Sequence, residues 1–172
     1  MKFTNVNPFT KKIQNSINKS ILKTVKNGDF ILGKNVEKFE KIFSKMSNVK
    51  YAVGCATGTD ALILAIKSLN LKKKHEIIIP GMSYISTGLS AALNNNKIVF
   101  ADIDNETGLI SIDDIKKKLT KNTKVVIPVN LYGQKVNIKL LRKIVGKKIF
   151  IIEDSAQSHL AYSCYECGLS YN

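Results

Sequence analysis

The chain has 172 residues and a formal charge of +14, room for one ordinary domain or a piece of a larger protein. With 44% hydrophobic and 23% charged residues its composition is globular, which excludes a chain disordered throughout. No apolar stretch approaches the roughly 20 residues that span a bilayer, and the polar start MKFTNVNPFTKKIQNSINKS has no signal-peptide core. Three cysteines make no disulfide framework, so a reducing, cytoplasmic setting is expected.

The first fifty residues predict two amphipathic helices. Ile13, Ile17, Ile21 and Val25 recur at helical spacing until Gly28, and Val36, Phe39, Ile42, Phe43 and Met46 repeat the pattern after Gly33. From Tyr51 onward, strands and helices alternate. YAVGC predicts a strand and ALILAIKSL a helix over 61–69; EIIIP a strand and the segment from Ser86 to Leu93 a helix. KIVFADID predicts a third strand, IDDIKKKL a helix, KVVIPV a fourth strand, Ile138 to Val145 a helix, and KIFIIED a fifth strand. Continuous apolar runs such as Ile77-Ile78-Ile79 suit strands buried on both faces, and their alternation with helices means parallel βαβ units with right-handed crossovers. The fold class is α/β. The organisation reads as a helical segment over 1–50, a domain over 51–160 and a tail over 161–172.

The basic charge does not point to nucleic acid. Arg142 is the only arginine, and the lysines are scattered in short runs such as 72–74 and 116–118. Readers of guanine and phosphate favour the bidentate guanidinium, whereas dispersed lysines suit a solvated surface.

In open α/β sheets, ligands bind at the carboxyl ends of the strands. Those ends read ATGTDA, PGMSY, DID, PVNLYG and EDSAQ, so polar and glycine residues collect along one edge. Gly58-Thr59-Asp60 sits between a strand and a helix. Its N–H groups and the Thr59 hydroxyl can hold a phosphate; equally, Thr59 or Asp60 can be a plain helix N-cap. The segment has neither the Gly-Lys-Ser/Thr of a Walker loop nor the three-glycine dinucleotide spacing.

Taken in order, GDFILGKNVEKFEKIF, YAVGCATGTDALILAIKSL, IIIPGMSYISTGLSA, VFADID, KVVIPVNLYGQ and IIEDSAQSH resemble the DegT/DnrJ/EryC1/StrS family over about residues 25 to 160. The resemblance implies the large domain of a fold-type I, aspartate-aminotransferase-like enzyme, dependent on pyridoxal 5'-phosphate. It implies transfer of an amino group, from a donor such as glutamate, to a keto-sugar nucleotide in amino-sugar or surface-polysaccharide synthesis. A homodimer is implied for the intact family protein, with no nucleic-acid or membrane partner.

Residue by residue, Thr59 and Asp60 match the family's phosphate-binding positions. Tyr84 matches the aromatic that stacks on the pyridine ring. Asp154 matches the carboxylate facing the pyridine nitrogen, and Gln157 the residue that hydrogen-bonds the cofactor's phenolic oxygen. Asn130 stands where many relatives have histidine, His159 is left outside the site, and Phe30 and Ile31 resemble a loop near the sugar.

The family's Schiff-base lysine lies beyond EDSAQ, in a motif that has no counterpart here. The expectation is therefore an N-terminal portion, inactive alone and prone to aggregate. A related dehydratase, with histidine in place of that lysine, and a non-catalytic remnant are the alternatives. Cys164 and Cys167 form a CxxC, but a structural zinc needs a second pair of ligands; no metal is expected.

Overall fold

The structure, a computed structural model, describes residues 9–159 and 161. Contacts divide the chain into two compact units, one up to Gly54 and one from Cys55 onward.

The first unit holds helices α1 (Lys11–Asn27) and α2 (Lys34–Met46). Thr10 caps α1 by accepting from the Ile13 N–H, and Gly28, at φ 71°, closes it by donating to Thr24 O and Val25 O. A left-handed residue at that position is why glycine ends the helix. The Asn35 amide donates to Thr24 Oγ1 at 2.9 Å, tying the start of α2 to the end of α1. Phe39 and Phe43 stack with centroids 5.5 Å apart. The two amphipathic helices form as the sequence predicts, yet neither contains a buried residue.

The second unit contains α3 (Gly58–Ser68), β1 (Glu76–Pro80), α4 (Ile85–Leu93), β2 (Lys97–Ala101), α5 (Ile112–Lys118), β3 (Thr123–Val126), α6 (Ile138–Val145) and β4 (Phe150–Ile151). The four strands form one parallel sheet in the order β2-β1-β3-β4, with Ile78 opposite both Val99 and Val126, and Val126 opposite Ile151. The chain steps outward from β1 to β2, then crosses back to build β3 and β4 on the other side. That reversal opens a crevice at the carboxyl ends of β1 and β3.

Alternation along the strands makes two cores. Ile77, Ile79, Val125 and Ile127 pack with Leu62 and Ile66 of α3 and Ala91 of α4. Ile78 and Val126 pack on the opposite face with Ile115 of α5 and Leu141 and Val145 of α6. All five residues of β1 are buried, and the run Ile77-Ile78-Ile79 requires this of its three apolar side chains. Each such side chain contributes on the order of 1.5–3 kcal/mol by leaving water.

Where five strands are predicted, four form among the described residues. Residues 51–55 have no ladder partner among the described residues, and Tyr51 and Val53 are 73% and 82% exposed. Apolar alternation favours an extended backbone, but a strand also needs a neighbour to meet its N–H and C=O groups. Cys55, assigned to that strand by its sequence, is an exposed free thiol instead. Cys164 and Cys167 lie outside the described residues. Among the described residues, no helix is long and apolar enough to cross a membrane.

Candidate functional site

The candidate site lies along the carboxyl edge of the sheet. At one end is the start of α3. The sequence offers Thr59 or Asp60 as its cap; the structure gives that role to Thr57. Thr57 is extended, at φ −144° and ψ 163°, and its Oγ1 accepts from the Asp60 N–H at 3.1 Å. The same hydroxyl donates to Asp60 Oδ2 at 2.8 Å. This T-x-x-D spacing is the capping-box signature and was readable from sequence, although the Asp60 carboxylate meets the Thr57 hydroxyl rather than its N–H. That contact turns the Asp60 carboxylate back onto the cap. The N–H groups of Gly58 and Thr59 are left without partners among the described residues, and a Cβ placed on Gly58 would meet nothing within 4 Å. Two free donors, open space and the positive end of a helix favour an anion.

Thr59 Oγ1 lies 2.6 Å from Ser86 Oγ, so the first turns of α3 and α4 meet through a hydroxyl pair. Ser86, which sequence reasoning passed over, is buried. Two residues before it, Tyr84 stands at the start of α4 with 75% of its surface exposed, and its side chain makes no cap hydrogen bond. The ring is thus presented to solvent at the end of β1. Two further buried hydroxyls, Thr87 Oγ1 and Ser158 Oγ, have no partner among the described residues.

Asp154 follows β4. Its N–H donates to Pro128 O and its C=O accepts from the Asn130 N–H, both at 2.9 Å, extending the parallel ladder as a bridge between Val129 and Asp154. Its Oδ1 accepts from the Ala156 N–H at 3.1 Å, while Oδ2 has no partner among the described residues. The pleat sets its direction. Ile151 packs against the α5/α6 core and Ile152 against the α3/α4 core. Two residues after Ile152 in an extended chain, Asp154 falls on the α3/α4 side. The starts of α3 and α4, with Thr59 and Tyr84, and Asp154 therefore lie on one side of the sheet edge.

Gln157 accepts from the Tyr132 N–H through Oε1 at 2.9 Å. Only the carbonyl end of an amide can accept, so this contact leaves its NH₂ available to donate. Tyr132 and Gly133 supply the tight turn, both with positive φ (54° and 81°). Asn130, fully buried, donates to Glu153 Oε1 at 2.6 Å and to Ser155 Oγ at 3.0 Å, and accepts from the Val136 N–H at 2.9 Å. Lys135 Nζ also reaches Glu153, at 3.5 Å. Nearby, the N–H of Thr107, then its hydroxyl, holds the Asp104 carboxyl below the ordinary range. His159 is exposed.

Compared with known sequences, residues 11–164 match the pattern of the DegT/DnrJ/EryC1/StrS aminotransferase family. The chain belongs to this family. The match extends past both ends of the stretch from 25 to 160 that the sequence motifs cover. Among the family's members, the chain is 35% identical over 148 residues to a UDP-2-acetamido-2-deoxy-3-oxo-D-glucuronate aminotransferase of Pseudomonas aeruginosa, covering 86% of this chain and 41% of that protein. Its fold matches that of DesV from S. venezuelae, solved in complex with a ketimine intermediate, with a TM-score of 0.83 and 27% identity, over 87% of this chain and 40% of that one. It also matches a GDP-4-keto-6-deoxymannose-3-dehydratase holding a trapped PLP-glutamate geminal diamine, with a TM-score of 0.78 and 33% identity, over 82% of this chain and 38% of that one. The chain thus spans about 40% of the length of the DegT/DnrJ/EryC1/StrS proteins it matches.

Proposed function

We propose that this chain is the cofactor-binding portion of a pyridoxal-phosphate-dependent aminotransferase that moves an amino group from a donor such as glutamate to a nucleotide-linked keto-sugar. The observation that carries this reading is Asp154, held by two backbone bonds with one carboxylate oxygen free, on the same side as the unpaired N–H groups of α3. The residues fit the group. Gly58 and Thr59 N–H, with the Thr59 hydroxyl relayed to Ser86, cradle the phosphate. Tyr84 covers one face of the ring, and such stacking contributes on the order of 1 kcal/mol. The Gln157 NH₂ donates to the phenolic oxygen. Asp154 keeps the pyridine nitrogen protonated, a charge-assisted pairing. Bound there, the cofactor supplies a cationic ring that draws electron density from the substrate.

We assign the cofactor portion to residues 51–160, with 1–50 a helical segment and 161–172 a tail outside it, and we place the intact protein in the cytoplasm as a homodimer. The sequence has no lysine after Lys148, so these 172 residues offer none beyond EDSAQ for covalent attachment. Binding by this chain alone is then reversible, and turnover needs a residue it does not contain. The likeness to a GDP-4-keto-6-deoxymannose-3-dehydratase supports a second reading, a sugar dehydratase using the same cofactor site.

Titrating the purified chain with pyridoxal phosphate tests the reading. Reversible binding is expected, weakened about tenfold or more by Asp154→Ala through loss of a charge-assisted bond. Borohydride reduction and peptide mapping should find only scattered lysine adducts. Equal affinity in wild type and Asp154→Ala, or one stoichiometric lysine adduct with amino-group transfer to a keto-sugar nucleotide, would refute it.

A further inference from the structure

Asn130 lies behind the proposed site and spends every polar atom of its side chain on the two loops that shape it. Its two amide hydrogens go to Glu153 and Ser155, the residues on either side of Asp154. Its carbonyl oxygen takes the Val136 N–H, and its own N–H donates to Asp154 O. Three consecutive residues are thus gripped by one buried asparagine: 153 and 155 by its side chain, 154 by its backbone.

In an extended chain, residues 153 and 155 point to one side and 154 to the other. A group that bonds both flanking side chains on one side fixes the pleat, and a one-residue slip would carry Asp154 to the wrong face. Asparagine has the chemistry for this: an uncharged amide supplies two donors and one acceptor in a plane, and at 0% exposure it leaves no side-chain polar atom unmet. On this basis, and resting on the reading of Asp154 above, we propose that Asn130 is a positioning residue that turns the Asp154 carboxylate toward the cofactor's ring nitrogen. It touches neither cofactor nor substrate; it acts through Glu153 and Ser155.

The test separates aim from mere folding. Wild type and variants of the full chain are titrated with pyridoxal phosphate and with its analogue carrying carbon in place of the ring nitrogen. Both ligands share the phosphate and the stacking surface; only the first can pair with Asp154. Wild type is expected to prefer pyridoxal phosphate by about tenfold or more. Asn130→Ala should bring that ratio close to one, while affinity for the carbon analogue falls little. Because Asn130→Ala removes a buried group, the double variant Glu153→Ala/Ser155→Ala repeats the test from exposed or half-buried positions with Asn130 intact, and the ratio should collapse in the same way. A variant that folds and keeps the wild-type ratio, or loses affinity for both ligands equally, overturns the positioning role alone. Wild type that binds neither ligand, or both equally, overturns the reading of Asp154 and this inference with it.

Discussion

Glu76 offers a test of how the sheet is held at the edge away from the site. It opens β1 at 4% exposure, and its Oε1 accepts from Lys97 Nζ, 2.9 Å away at the start of β2. Its Oε2 accepts from the hydroxyls of Thr120 and Thr123, which lead into β3. One carboxylate therefore joins the amino ends of three strands. The Thr120 hydroxyl, then Lys97, hold its carboxyl below the ordinary value near 4.5, against the opposing effect of burial. Glu76→Gln keeps the shape and removes the charge. Lys97 is 66% exposed, so its ion pair contributes at most about 1 kcal/mol. Two hydroxyl bonds that cease to be charge-assisted lose about 1 kcal/mol together. The expected cost at pH 7 is then about 1.5–2 kcal/mol, a fall in the urea midpoint of roughly 0.5–1 M. Because the folded pKa lies below the unfolded one, the wild-type advantage is complete above the ordinary glutamate range and lost as pH falls through the folded value. Urea midpoints of both proteins, at one protein concentration and in steps from pH 7 to 3, should therefore converge in acid. Equal midpoints at pH 7, or a gap that does not narrow between pH 7 and pH 3, would refute the reasoning.

Leu141→Ala empties a fully buried position between α6 and the sheet and should cost about 2–5 kcal/mol by urea denaturation; a loss under about 1 kcal/mol would mean that this face is not close-packed. Thr57→Ala removes the α3 cap and should cost about 1 kcal/mol. It also frees the Asp60 carboxylate beside the free N–H groups, so affinity for pyridoxal phosphate should drop; tighter binding would contradict the proposed cradle. The sheet ends in β2 and β4, whose Phe100 and Phe150 are 58% and 51% exposed. Unpaired strand edges template association, so sedimentation should show mass rising with concentration. A sharp monomer throughout would count against it.

Much of this was legible in the sequence, for reasons particular residues make plain. Ile77-Ile78-Ile79 announces a strand covered on both faces because the run is short, β-branched and ended by Pro80, and both cores confirm it. The strand-end motifs lie at one edge because parallel strands with helical crossovers leave them nowhere else. YAVGC misled because apolar alternation records which side chains avoid water, not which backbone finds a partner. Thr57 lost the cap assignment to its neighbours although its spacing to Asp60 carried the signal. Asn130 could be flagged only as a departure from relatives; its three partners come from segments up to 25 residues away, a convergence that no local pattern encodes.

The strand order has a consequence for synthesis. β1 is central, yet its partners arrive at different times: β2 follows after one short helix, whereas β3 begins only at Thr123. At about 5–20 residues per second, a ribosome leaves an interval of a few seconds between completing β2 and delivering β3. Until β3 arrives, the second edge of β1, along Ile77, Ile78 and Ile79, has no strand to pair with, and two strands alone are only marginally stable in water. That window, rather than the finished fold, is when a chaperone that recognises apolar extended segments has the most to protect.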